Sequence, residues 1–142
     1  MIEKLNDIEA VKVAANLERD GIAFYTRAAE VARNEETKKI FLRLADQEKD
    51  HLETFREWEH ALKETDQGAQ YWDAPEIDAY IRNLIQTGVF SEGPEKMAAG
   101  AESDRDAVLV GIGAEKDSIL FYSEAAARSR AEQSRNIFAA LA

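Results

Sequence analysis

The chain has 142 residues, with 28 acidic against 18 basic side chains and a net charge of -10. That balance speaks against a nucleic-acid partner and favours attraction of cations. The absence of cysteine excludes a disulfide, a Cys-ligated zinc and a thiolate-held iron centre within this chain.

The length suits one domain, residues 1–142, large enough to bury a real core. Only two prolines and seven glycines stand among many Ala, Glu, Leu, Lys and Arg, which favours an all-α fold. No apolar run approaches the roughly 20 residues needed to span a bilayer, and the start carries no signal-peptide pattern. The expectation is a cytoplasmic protein without a membrane partner.

Asn6 followed by Glu9 resembles a capping box. It opens a first helix expected from about Asp7 to Arg33. The inward stripe is Ile8, Val11, Ala15, Ile22, Tyr25 and Ala29, with Glu18 at its centre. A second stripe of Val13, Leu17, Phe24 and Val31 suits packing under a neighbouring helix or a second subunit.

Asn34 breaks the first helix and caps the second, expected to run to about Thr65. So short a connection joins antiparallel neighbours, giving hairpin one over residues 7–65. Within the second helix, Ile40, Phe41, Leu44, Leu52, Phe55 and Trp58 form one apolar face. At about 100° per residue, Glu48 and His51 fall inside that arc. A carboxylate and an imidazole aimed at a core are costly unless something pairs them. Glu48-x-x-His51 sets both on one face, one turn apart, where they can hold a metal ion. The same spacing recurs at Glu57 and His60, but that pair shares its face with Arg43, Asp50 and Glu64 and reads as solvated surface.

Residues 66–103 read as a long crossover. Pro75 opens a short helix over Glu76 to Ile85 that ends before Gly88, and Gly93-Pro94 starts another turn. Tyr71, Trp72, Tyr80, Ile81, Leu84 and Phe90 read as apolar cover over the bundle. Ser103 with Asp106 starts a third long helix, expected to run to about Arg130, and Glu132 to Ala142 begin a fourth. Hairpin two is residues 104–142.

Sliding the chain by 97 positions lays Asp7 to Ala45 on Asp104 to Ala142 without a gap, with 17 of 39 positions identical. Glu18 falls on Glu115, Phe24-Tyr25 on Phe121-Tyr122, and Ile40-Phe41 on Ile137-Phe138. The expected fold is a four-helix bundle of two repeated hairpins joined by a crossover. Glu18, Glu115 and the Glu48/His51 pair then face one axis from three helices. By the same symmetry a fourth-helix Glu and His belong three and six residues after Ala142. The fourth helix stops mid-pattern with no cap or breaker, which reads as truncation or an unrecorded tail. Completion by another subunit and a degenerate site are the other readings.

The pattern resembles the rubrerythrin branch of the ferritin-like di-iron carboxylate proteins. Glu18 with Phe24-Tyr25, Glu48-x-x-His51, and Glu115 with Phe121-Tyr122 carry the resemblance over both hairpins. It implies a ferritin-like bundle holding two iron ions, with manganese or zinc as substitutes. Glu18 would be a terminal ligand, Glu48 a bridge, His51 a ligand of one iron, and Glu115 a ligand of the opposite one. Tyr25 and Tyr122 would donate hydrogen bonds to the carboxylates; simple core packing is the alternative for both. The resemblance implies an oxidoreductase acting on dioxygen or peroxide, fed by a separate electron donor because no cysteine-rich domain follows. Peroxidase-type members carry a further glutamate where this chain has Ser118.

Two other functions fit the same residues. One is an iron-binding or storage module without turnover. The other is a structural bundle whose site is vestigial, the Glu, Tyr and His groups satisfying one another. The stripe containing Leu17, Phe24, Val110 and Phe121, with bundle surface left open by a short fourth helix, points to a homodimer.

Overall fold

The computed structural model describes residues 6–65, Ala79, Asn83 and 93–142, and among these described residues five helices are traced from end to end. They are α1 (Asp7–Val31), α2 (Glu35–Thr65), α3 (Pro94–Gly100), α4 (Asp104–Arg128) and α5 (Glu132–Leu141). The expected helix over Glu76 to Ile85 and the aromatic cover around it lie outside the described residues, save that Ala79 and Asn83 are helical and exposed.

Each long helix starts where its capping residue places it. The Asn6 side chain accepts from the Glu9 amide at 2.8 Å. Asn34 accepts from the Glu36 and Thr37 amides, and Ser103 from the Asp106 amide. Each such cap is worth about 1 kcal/mol. Pro94 occupies the first turn of α3, where its missing N–H costs nothing. Gly93 precedes it at φ 103°, a conformation that side-chain-bearing residues rarely adopt.

α1 is the central element. It packs against α2, α3 and α4, and α5 packs against α4. The expected inward stripe of α1 is inward: Val11, Ala15, Tyr25 and Ala29 are buried, and Ile8 and Ile22 are half-buried against them. Of the two partners expected for the second stripe, Phe24 has the first, a neighbouring helix: it is fully buried within the chain, as is Phe121. The reason is that α1 has neighbours on more than one side, so one apolar arc does not exhaust its buried surface.

Ile40 departs from the reading. It was expected on the inward face of α2 and is 50% exposed. On the helical wheel it sits at the edge of the apolar arc, at the same angle as Trp58, five turns later. Trp58 is half-buried there, packed against the core cluster that contains Phe55 and Phe138, and donates its indole N–H to Ser134 of α5 at 2.7 Å. No described residue does the same for Ile40. The Glu57/His60 pair faces outward as expected, with His60 exposed and 3.1 Å from Glu64.

The internal repeat is legible in the packing. Phe24 and Tyr25 have ring centroids 5.4 Å apart, and their equivalents Phe121 and Tyr122 are 5.7 Å apart. Tyr25 stacks on Phe41 at 6.1 Å, and Tyr122 on Phe138 at 6.1 Å. Even the turns are reciprocal. Asp104, at the start of α4, accepts from the amides of Arg33 and Asn34 between α1 and α2. Asp7, at the start of α1, accepts from the amides of Arg130 and Ala131 between α4 and α5, both at 2.8 Å. Each hairpin's turn is thus closed by the other hairpin's first residue.

Candidate metal centre

The inward arc of α2 carries Glu48 and His51 toward the middle of α1, where Glu18 sits at the centre of its own stripe. Each of the three offers one ligand atom, and these atoms lie within 4.8 Å of one another. Glu18 and Glu48 are buried, whereas the His51 side chain is 35% exposed. His51 Nδ1 lies 3.6 Å from Glu18 Oε2.

The two carboxylate oxygens of Glu18 have different surroundings. Oε1 accepts a short hydrogen bond from the Tyr122 hydroxyl. Oε2 is shielded from solvent and has no hydrogen-bond partner. A buried carboxylate oxygen without a donor costs one to a few kcal/mol, more if it is charged. A divalent cation held by Glu18, Glu48 and His51 would remove that cost, and oxygen and imidazole donors suit iron, manganese or zinc. The residues therefore fit a cation.

Backbone close approach helps to build the site. A Cβ at Gly21 would stand 3.3 Å from Glu48 Oε2 and 3.4 Å from its Cδ. The bare glycine lets the Glu48 carboxyl lie against α1. Gly21 escaped the reading of the sequence. The available signal was its place one turn after Glu18, on the same face, aligned with Ser118 in the repeat.

Glu115 comes from α4 and lies beside the trio. Its Oε1 accepts from the Tyr25 hydroxyl at 2.8 Å. It is not one of the three grouped ligands, yet it is close enough to act on Glu48 and His51 electrostatically. Of the four expected ligands, three converge and the fourth stands beside them. Tyr25 and Tyr122 are buried hydrogen-bond donors, each to the glutamate of the other repeat.

Electrostatics follow from crowding acids in a dry place. Burial, then the neighbouring Glu18 carboxylate, pushes Glu48 up to about 11. Burial also acts to raise Glu18. His51, the Glu48 carboxyl and the Tyr122 hydroxyl outweigh it and hold Glu18 below its usual range. His51 is raised by Glu18, against the opposing effect of its burial. Burial and the adjacent carboxylates hold both tyrosine hydroxyls well above their usual range, so both stay protonated. At neutral pH the proton kept on Glu48 does part of the neutralising that a cation would otherwise do.

An all-α bundle whose neighbouring helices turn two carboxylates and an imidazole into a shielded centre defines a metal-binding helical module. The family model described as Rubrerythrin matches residues 9–142. The chain belongs to the rubrerythrin family, and its fold is an all-α ferritin-like bundle. No curated protein and no solved structure matches the chain. Among the described residues, no helix is long and apolar enough to cross a membrane.

Proposed function

We propose that this chain is an iron-binding module in which Glu18, Glu48 and His51 hold one divalent cation and Glu115 assists from α4. The observation that carries this reading is Glu18 Oε2, buried, without a hydrogen-bond donor and facing the other two ligands. The acidic balance of the chain draws cations toward the site. Ser118, in place of the further glutamate of peroxidase-type members, favours binding over peroxide turnover. The chain's own residues would bind the ion, exclude water from Glu18, and fix the Glu18 carboxylate through Tyr122.

The test is anaerobic titration with ferrous iron, and separately with manganese and zinc, by calorimetry. One ion per chain is expected, with binding lost in Glu18→Gln. No binding by any of the three ions leaves a structural bundle with a vestigial network.

A second reading is an oxidoreductase acting on dioxygen or peroxide with electrons from a separate donor. The mirrored bonds, Tyr122 to Glu18 and Tyr25 to Glu115, favour it because they hold a glutamate ready on each side of the axis. Two bound irons would supply two electrons to the oxidant. Two ions per chain, with sustained peroxide consumption in the presence of a reductant, would select this reading over the first.

A further inference from the structure

We infer that Tyr122 and Trp58 form an electron relay, which joins the candidate centre to the surface of α2 where a small one-electron reductant meets it. The inference takes its source of oxidant, and nothing else, from the cation reading above. Tyrosine and tryptophan are the two side chains that most readily give up and recover a single electron. Tyr122 is buried, and its hydroxyl donates to Glu18. Trp58 is half-buried, so its indole reaches solvent.

The two rings are joined through the core. The centroids of Tyr122 and Phe55 are 5.4 Å apart. Phe55 and Trp58 lie one turn apart on one face of α2. Trp58 packs against the cluster that holds Phe55, Tyr122 and Phe138. Two turns of α2, a rise of about 10.5 Å, carry the chain from His51 to Trp58 on the same face. The indole is also held for the task. Its N–H donates to Ser134 at 2.7 Å, and Ser134 is fully buried. A ring that loses an electron becomes a stronger donor, so this bond favours the oxidised indole. The net charge of -10 acts in the same direction. Tyr25, the repeat's equivalent of Tyr122, donates to Glu115 and stacks on the fully buried Phe41 instead of Phe55, which makes it the control.

The chemistry that a bound ferrous ion supplies is one-electron reduction of peroxide to hydroxide and an oxidant of hydroxyl-radical strength, which one further electron converts to hydroxide. Tyr122 gives that electron, and its hydroxyl proton passes along the hydrogen bond to Glu18 Oε1. Trp58 then gives an electron to the Tyr122 phenoxyl radical, and the proton returns. The electron missing from the indole is replaced at the surface by a reductant of the ascorbate or thiol class. Both side chains end as they began, and one electron has moved from the reductant to the oxidant.

Pulse radiolysis of the metal-free chain tests the exchange without iron. Azide radicals oxidise exposed indoles, and a Trp72→Phe background leaves Trp58 as the one indole. Its radical should decay as a phenoxyl radical grows, at a rate independent of protein concentration. Tyr122→Phe should lose that growth and Tyr25→Phe should keep it, with circular dichroism showing that both variants are helical. Growth that survives Tyr122→Phe, or an indole radical that decays with no phenoxyl, overturns the relay. In the same background loaded with ferrous iron, freezing after peroxide should trap an indole radical seen by electron paramagnetic resonance, absent in Trp58→Phe. A signal unchanged in Trp58→Phe also overturns the relay. A chain that binds no iron overturns the cation reading alone, and the azide-radical result then decides the relay.

Discussion

The Tyr122 hydroxyl on α4 donates to Glu18 on α1, so one repeat's tyrosine fixes the other repeat's glutamate. The mirror bond runs from Tyr25 on α1 to Glu115 on α4. These crossed bonds join the two hairpins at the height of the candidate metal centre. They also differ in depth, because Glu18 is buried and Glu115 is only half-buried.

That difference sets the first prediction. Tyr122→Phe leaves a buried carboxylate oxygen without its donor and should cost about 1.5–3 kcal/mol. Tyr25→Phe should cost about 1 kcal/mol or less, because water reaches Glu115. Urea unfolding of both variants checks the order, and equal losses would contradict it.

Glu48 governs the pH dependence. Its carboxyl is raised from the usual 4.5 to about 11, so the folded chain keeps a proton that the unfolded chain releases. The stability this confers is full below 4.5 and is lost progressively as pH rises toward 11. His51, also raised, has the same sign above 6.5. Glu18, lowered, acts the other way and loses its contribution only as pH falls below 4.5. The metal-free chain should therefore melt at a lower temperature at about pH 9 than at about pH 6. Glu48→Gln should flatten this slope and raise stability at neutral pH by about 1 kcal/mol, while weakening cation binding tenfold or more. Melting curves across pH, with and without manganese, read all three effects. A bound cation replaces the protons, so its affinity should rise with pH.

Two glycines should respond with opposite signs. A methyl at Gly21 meets only the end of the Glu48 side chain, at 3.3 Å. The helix gains up to about 1 kcal/mol from alanine, so Gly21→Ala should fold at least as stably. It should also bind cations more weakly, having pushed the carboxyl aside. A methyl at Gly111 would stand 3.1 Å from the buried Tyr25 ring, which has nowhere to go. Gly111→Ala should destabilise by about 1–2 kcal/mol despite the better helix former. Denaturation paired with calorimetric titration separates the two.

The reciprocal turn clamps differ in the same physical way. Asp7 is buried and accepts two amides at 2.8 Å, so Asp7→Ala should cost about 2 kcal/mol. Asp104 makes equivalent bonds at a wetter site, and Asp104→Ala should cost clearly less. Hydrogen exchange at Arg130 and Ala131 should rise in the first variant, and at Arg33 and Asn34 in the second.

Helix starts were readable from the sequence because a cap acts over three residues: Asn6, Asn34 and Ser103 each bond an amide within reach of their own side chain. The inward aim of Glu48 against the outward aim of His60 was equally legible, being a matter of angle within one helix. So was the duplication, which aligns residues before any of them fold. The crossed pairing of Tyr122 with Glu18 was not, nor the standing of Glu115 beside the trio, nor the clamping of each turn by the opposite hairpin's aspartate. Those bonds join groups 70 to 124 positions apart in the chain. Local preferences are silent at that range. Ile40 and Trp58 occupy the same edge of one helical arc, yet Trp58 packs against the core cluster and bonds Ser134, whereas Ile40 is left in water. Periodicity says which way a side chain leans; a neighbouring helix decides whether anything is there to meet it.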